Sequence, residues 1–443
     1  MDQNNSAGTI STQPIATADR IKSIDTIRGF ALLGILMMNI PGFGINWDFW
    51  YAVIHGPHTG VDFYTFTVVF VFFEGTMRGL FSMLFGAGMI LFMMNKKELP
   101  GGTTVAEYYY RRLLWLVLFG LINAFVILWE GDILFFYGLC GMILFAFRKM
   151  KPKWLVVFAL LCVSFGMIKK QWGYSEFREK RIAYNEAVAA KKEKKELKPE
   201  QQGALKAWAE IEKGQKPDTA MTNKNLRKMR SGYGTIFNYF IPMNADGETF
   251  YMYHEVWDML AMMFLGMALF GWGFFTNKLR TSTYTMWLLI GYGVGIPIGW
   301  ILFNNGWLSF GSMGPGEYTD RWRVSHQVFV EFRRILLTIG HASLLMLVFR
   351  SKIVPWLMKA LANVGQMAFT NYLMQSIICT FFFYGYGLGY YDKLRFHQLY
   401  YVVGAVWIFQ MIFSSIWLRY FRFGPFEWVW RSLTYWKKQP MKK

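Results

Sequence analysis

Cysteine is almost absent from this chain: its 443 residues include three, Cys140, Cys162 and Cys379. All three fall inside apolar runs at spacings that match no thiolate site. That excludes a disulfide scaffold or a structural zinc site, and it leaves the redox compartment unreadable. Charge is scarce too, at 17% of residues against 54% hydrophobic and 19% aromatic. The apolar residues come in repeated runs of about twenty rather than as amphipathic stripes, which excludes a soluble globular domain and predicts a polytopic membrane protein.

Acidic residues are the scarcer sign, 28 against 47 basic, and the net charge is +19. The Lys and Arg residues sit mostly at span ends and in one hydrophilic insert, where membrane topology alone places them, so no nucleic-acid partner is expected. There is no internal repeat. Residues 1–20 are polar and rich in Ser, Thr, Asn and Gln, and read as a disordered cytoplasmic N-terminus. No small-residue cleavage site follows the first apolar run, which is therefore read as a retained anchor.

What is present is an all-α pattern of ten expected spans, at residues 24–45, 63–94, 112–129, 132–148, 153–169, 254–275, 283–303, 334–350, 360–384 and 398–420. They form two five-helix halves, 21–168 and 251–422, around a hydrophilic insert at 169–250 and before a tail at 423–443. Positive charge marks alternate loops: Lys22 and Arg28, then Lys96, Lys97, Arg111 and Arg112, then Arg148 to Lys153, Lys278 and Arg280, Arg350 to Lys359, and the tail. Both termini are expected to be cytoplasmic, and span parity makes the insert extracytoplasmic. Five of the six histidines then face outward, so histidine chemistry is expected there.

The second run is about 32 residues, roughly 48 Å as one helix against a hydrocarbon core of about 30 Å, so it must tilt, break or protrude. It carries Glu74 and Arg78, four apart near the bilayer middle. They could form an internal ion pair, or they could line a ligand channel beside a face thinned by Gly75, Gly79, Gly86 and Gly88. The insert is dense in Ala, Glu, Lys and Leu, which predicts two solvent helices interrupted near Pro199 and closed near Gly214. Its mixed charge fits a solvated cap or a docking element.

Asp25 and Arg28 share a helical face and can pair as a topology anchor, or Arg28 beside Gly29 can hold an anionic ligand. Asn39 lies near the outer end of the same helix, followed by His55, His58 and Asp62. A neutral imidazole can take a proton from a nucleophile or accept an acyl group, a carboxylate can fix its tautomer, and an amide can donate to an oxyanion. The plainer reading of the two histidines is a surface loop, and no metal site is expected. Asp132 sits where an N-cap is needed.

Four stretches, "IDTIRGFALLGILMMNI", "LFSMLFGAG", "GDILFFYGLCG" and "VGQMAFTNYLMQS" with "IWLRYFRFGPFEWVWRSLTY", resemble the YeiB family of bacterial inner-membrane proteins over nearly the whole chain. The family in turn resembles heparan-alpha-glucosaminide N-acetyltransferase, which implies transmembrane acyl transfer from cytosolic acetyl-CoA or another acyl-CoA to an extracytoplasmic glycan or lipid-linked acceptor. The resemblance maps the active site loosely onto Asp25, Arg28, Gly29, Asn39, His55 or His58, and Asp62. Asn123 stands where many relatives have a histidine.

On that reading the donor's phosphates lie near Arg28, Arg111 or Arg112, its pantetheine passes Glu74 and Arg78, and its thioester reaches Asn39. His55 or His58 then activates the acceptor, and proximity replaces a diffusional encounter. Trp47, Trp50, Tyr51, Trp172 and Trp307 suit sugar stacking or an interfacial belt. Expected partners are membrane lipids, acyl-CoA and the acceptor, with a homodimer left open. The rival expectation is a transporter with a midplane site built from Glu74, Arg78, His341 and Asn371. A third is a scaffold whose insert recruits a partner.

Overall fold

A computed structural model describes residues 21–46, 48–94 and 104–443, without the side chains of residue 50 and residues 251–255. The expected N-terminal segment 1–20, the loop lysines Lys96 and Lys97, Trp47 and the Trp50 side chain lie outside the described residues.

The chain is all-α, with no strand among the described residues. The N-terminal half contains α1 (Lys22–Gly44), α2 (Asp48–His55), α3 (Val61–Val68), α4 (Thr76–Met94), α5 (Val105–Phe125) and α6 (Leu134–Leu144). The insert comprises the far end of α7 (Pro152–Lys192), then α8 (Pro199–Gly214), α9 (Thr219–Met229) and α10 (Tyr233–Asp246). The C-terminal half contains α11 (Met252–Gly271), α12 (Thr281–Ile301), α13 (Ser309–Arg321), α14 (Val330–Ser351), α15 (Pro355–Gln366), α16 (Ala368–Phe383), α17 (Phe396–Tyr420) and α18 (Pro425–Tyr435). Several starts follow from local chemistry. Proline opens α7, α8, α15 and α18, where its missing N–H has no helical partner to lose, and Thr104 with Glu107 closes a capping box on α5.

Among the described residues six segments are long and apolar enough to cross a membrane: Lys22–Gly44, Val61–Met94, Pro152–Lys192, Thr281–Arg321, His326–Ser351 and Phe396–Tyr420. Leu134–Phe147, Val256–Gly271 and Ala368–Phe383 are apolar but shorter. Two expected spans differ in form. Residues 112–129 fall on α5, which begins earlier with charged residues, and 360–384 are split into α15 and α16 at Met367. The overlong second run breaks: α3 passes through a π-helical stretch, Val69–Phe73, Gly75 takes φ +71°, and α4 starts afresh at Thr76. A glycine relieves the left-handed strain at that point.

The two halves are interleaved. A Cβ added to Gly29 on α1 would lie 2.0 Å from the Leu361 carbonyl oxygen on α15, and one on Gly365 would lie 1.9 Å from the Asp25 carbonyl oxygen. The backbones therefore touch at a reciprocal glycine crossing, the close approach that small residues permit between membrane helices. Gly29 serves this helix contact.

The insert is built as expected from helices that break before Pro199 and end at Gly214. Its first element continues α7 without interruption out of the membrane segment. Trp208 is fully buried against Phe177, Tyr184 and the Arg181 guanidinium. Arg181 also grips Asp320 of α13 through Nε and Nη2 at 3.1 and 2.6 Å. Farther on, Tyr233 donates to the Val126 carbonyl at 2.7 Å, and Arg230 donates to the Tyr391 carbonyl at 3.2 and 3.1 Å, so the insert is fastened over one end of the bundle.

Candidate functional site: two cavities and a septum

Two cavities enter the bundle from opposite ends. At the end where α1 begins and α18 lies, one of about 230 Å³ is lined by Asp25, Arg28, Arg112, Glu427, Trp430 and Arg431, and by Tyr109, Tyr137 and Tyr372. Arg28 Nη1 reaches Asp25 Oδ1 at 2.8 Å, the pair expected from their spacing. Arg112 lies over the Trp430 ring at 3.9 Å, and the Trp430 indole N–H donates to the Arg112 carbonyl at 2.9 Å. Three guanidiniums, those of Arg28, Arg112 and Arg431, border this opening beside the Asp25 and Glu427 carboxylates, and guanidinium is the group whose fork suits an anion. Arg111 does not line it: its guanidinium turns to the Thr434 carbonyl at 3.3 Å and to the Tyr108 and Trp436 rings.

The two sequence stretches that carry the strongest resemblance meet here. Glu427, from the segment after the last span, accepts from the Phe369 and Thr370 backbone N–H groups at 2.7 and 3.0 Å and from the Thr370 hydroxyl. Burial pushes its carboxyl above the ordinary carboxylate range against the pull of those donors. The pairing fixes α18 beneath α16 and presents Trp430 and Arg431 to the cavity.

At the insert end, a cavity of about 710 Å³ holds Asn39, Glu74, Arg78, Glu130, Asp132, Lys170, Glu248, His326, Arg333 and Arg334. The expected Glu74–Arg78 pair is not made. Because the helix breaks between them, Arg78 reaches Asp258 at 2.7 Å, and Glu74 meets Arg333 at 2.8 Å. Arg334 bridges Asp258 and Glu331, and Lys170 bonds Glu331 at 2.6 Å, so an ion chain runs Arg78, Asp258, Arg334, Glu331, Lys170 along one side. On the other side stand Glu130, Asp132 and Glu248. Enclosure by protein pushes the Glu130 carboxyl, though open to the cavity, up to about 7. Burial, then the nearby Asp132 charge, pushes Glu248 up to about 8. Glu248 Oε2 is buried and has no hydrogen-bond partner among the described residues.

The cavities nearly meet. Ile133 lines the insert-end cavity and its neighbour Leu134 lines the other. Between them the Tyr372 hydroxyl accepts from the Ile133 N–H at 3.1 Å and lies 3.4 Å from Asp132 Oδ1. Beside it Tyr137 and Ser82 share a hydrogen bond of 2.7 Å, and Tyr137 also donates to the Arg78 carbonyl at 3.3 Å. Asp132 accepts from the Phe135 N–H at 2.9 Å, which is the capping role expected of it, and from Asn123 Nδ2 at 2.8 Å.

The histidine constellation is not assembled. His55 and His58 are exposed and line neither cavity, and His58 Nε2 sits 2.9 Å from the Ile54 carbonyl. Asp62 turns to α17 instead, binding His397 Nδ1 at 2.6 Å and Arg395 at 2.8 Å. Asn39 does line the insert-end cavity, where Trp307 packs at a tilt against Phe66 and edge-to-face against Phe70. His341 is held between the Tyr292 hydroxyl and the Phe72 carbonyl, and Asn371 between Val364 and Ser414, both buried in structural bonds. Among the described residues no three His, Cys, Asp or Glu side chains converge on a metal position. The residues that sequence reading passed over are Asp258, Glu331, Arg333, Arg334 and Lys170. The available signal was charge inside or beside apolar segments.

The fold and its paired polar cavities define a polytopic α-helical membrane protein. Comparison places it further. Residues 269–437 match the family model described as "Protein of unknown function (DUF418)". The chain is 32% identical over 444 residues to the uncharacterized protein YxaH of Bacillus subtilis (strain 168), covering 98% of each. It is 30% identical over 439 residues to the uncharacterized protein YeiB of Escherichia coli (strain K12), covering 94% of this chain and 96% of that one. The chain belongs to the YeiB family. No solved structure matches it.

Proposed function

We propose that the protein is a transmembrane acyltransferase of the bacterial inner membrane. It takes an acyl group, acetyl in the simplest case, from cytosolic acyl-CoA and passes it to a hydroxyl or amine on an extracytoplasmic glycan or lipid-linked acceptor. The observation that carries this reading is the pair of cavities separated only by the septum at Ile133, Leu134 and Tyr372. The concentration of Lys and Arg at the start of α1 and after the last span supports a cytoplasmic side for the smaller cavity. Its volume suits an extended thioester arm, with the nucleotide and its phosphates at the mouth near Arg28, Arg112 and Arg431. The larger, polar cavity faces outward and receives the acceptor, with Asn39 and Trp307 in its lining. Donor and acceptor are then held together without a charged CoA crossing the membrane. Arg78 and Glu74 belong to the acceptor side of this layout, and acceptor activation falls to cavity-lining groups rather than to His55 or His58.

Calorimetric titration with CoA and acetyl-CoA tests the reading. Saturable binding is expected, weakened roughly 10- to 100-fold in Arg112→Ala by loss of a charge-assisted contact and unchanged in Arg111→Ala, which points away from the cavity. Absence of binding in the wild type, or equal loss in both variants, overturns it. A transporter is the second reading, supported by the ion chain from Arg78 to Lys170 beside the larger cavity. It predicts no CoA binding.

A further inference from the structure

Acyl transfer across a septum raises a question of protons. The acceptor loses its proton on one side, while the thiolate that needs one leaves on the other. Tyr137 with the Arg78 carbonyl and Tyr372 with Asp132 both connect the two cavities directly, and of these two contacts the second joins side chains that can each give and take a proton. Asp132 lines the insert-end cavity, Tyr372 lines the smaller cavity, and their oxygens are 3.4 Å apart. The Ile133 N–H donates to the Tyr372 oxygen at 3.1 Å, which aims the phenol proton toward Asp132 Oδ1 or the Gly131 carbonyl, also at 3.4 Å. Asn123 Nδ2 and the Phe135 N–H fix the Asp132 carboxylate at 2.8 and 2.9 Å. Glu74, Asp258 and Glu331 are each tied to guanidinium or ammonium groups, but no cation pairs with Asp132 among the described residues. Glu130 and Glu248 share the acidic side of the cavity, yet only Asp132 touches a side chain that lines the opposite one.

We infer that Asp132 and Tyr372 form a proton relay through the septum, which makes acyl transfer electrically neutral; the inference rests on the acyltransferase reading above. Asp132 takes the proton of the acceptor O–H or N–H as that atom bonds to the thioester carbonyl carbon. The C–S bond breaks and its electron pair stays on sulfur. The thiolate takes the phenol proton of Tyr372, and Asp132 returns its proton to Tyr372. Acyl-S-CoA and acceptor–H thus become acyl-acceptor and CoA-SH, with no proton left on either side. Without the relay, the acceptor's proton stays outside and the thiolate is protonated from the cytosol, so each turnover moves one net positive charge outward.

That difference is measurable, because moving a full charge against 100 mV slows a step by up to about 50-fold. Inside-out native membrane vesicles carrying the full chain are supplied with radiolabelled acetyl-CoA, and a lumen-positive potential is set with valinomycin and a potassium gradient. The wild-type rate of label transfer to the lumen is expected to be independent of potential. Tyr372→Phe is expected to be about 10- to 100-fold slower at zero potential and to slow further as the lumen becomes positive. Asp132→Asn should lose transfer while keeping CoA binding. A purely structural loss at Tyr372 would lower the rate without creating potential dependence. Transfer with the same response to potential in wild type and Tyr372→Phe overturns the relay and leaves the acyltransferase standing. Failure of the wild type to bind CoA overturns the acyltransferase, and the relay with it.

Discussion

Arg333 is buried to 1% exposure inside the membrane region, and its removal provides the sharpest test of how the broken second span is held. Its guanidinium donates to the Phe70 carbonyl at 2.9 Å, to the Glu74 carbonyl, and to Glu74 Oε2 at 2.8 Å. Two of these acceptors are backbone carbonyls at the π-helical stretch and the break at Gly75. Arg333→Met keeps most of the volume but leaves two carbonyls and a carboxylate without their donor. At about 1–1.5 kcal/mol for each bond to a neutral carbonyl and about 1.5–3 for the bond to the carboxylate, the loss is about 3.5–6 kcal/mol, overlapping the roughly 3–5 seen when one partner of a buried pair is removed. Glu74 has a side chain 38% exposed to the cavity. Glu74→Gln should therefore cost only about 1 kcal/mol, because solvent screens that pair and Arg333 keeps both carbonyls. Reversible unfolding in mixed micelles, read by tryptophan fluorescence, measures both variants and the double mutant. Equal effects of the two single changes, or a loss below about 1 kcal/mol for Arg333→Met, would refute the assignment of Arg333 as the clamp on this break.

Two further outcomes follow from packing and titration. Gly365→Ala places a methyl 1.9 Å from the Asp25 carbonyl oxygen, so α1 and α15 must separate, with a loss of at least about 1–3 kcal/mol in the same unfolding assay. Glu248 has a folded-state pKa of about 8, raised by burial and by Asp132 from the 4.5 of an unperturbed glutamate. The protonated form is the one the fold accepts, so this group's contribution to stability is full below about pH 4.5 and is lost as pH rises through 8. Thermal unfolding between pH 5 and 9 should show that decline, and Glu248→Gln should flatten it.

Much of the architecture was legible because a bilayer demands long apolar segments and leaves charge at their ends. The second run announced its break by length alone, and Pro199 and Gly214 marked the insert's helix ends. The site was legible in pieces. Asp25 with Arg28, the capping aspartate Asp132 and the cavity residue Asn39 could be placed from one helix and its neighbours. Pairings across the bundle could not. Arg78 lies four residues from Glu74 but bonds Asp258, 180 positions away, because Gly75 rotates the helix between them. Asp62 stands four residues after His58 but binds His397, since α3 begins at Val61 after Gly60 takes φ +92° and turns its first acid toward α17. The clustering of Thr370, Tyr372, Glu427 and Trp430 around one cavity explains why two stretches far apart in sequence carry the family resemblance together.

On the proposed function, an acyl group enters from the side of α18 and leaves on the side of the insert. Inside-out membrane vesicles with and without the protein, given radiolabelled acetyl-CoA from outside, test it directly. Label is expected on acceptors inside the lumen, dependent on the protein and reduced in Arg112→Ala. Label confined to the outer face, or no label above vesicles lacking the protein, would contradict it.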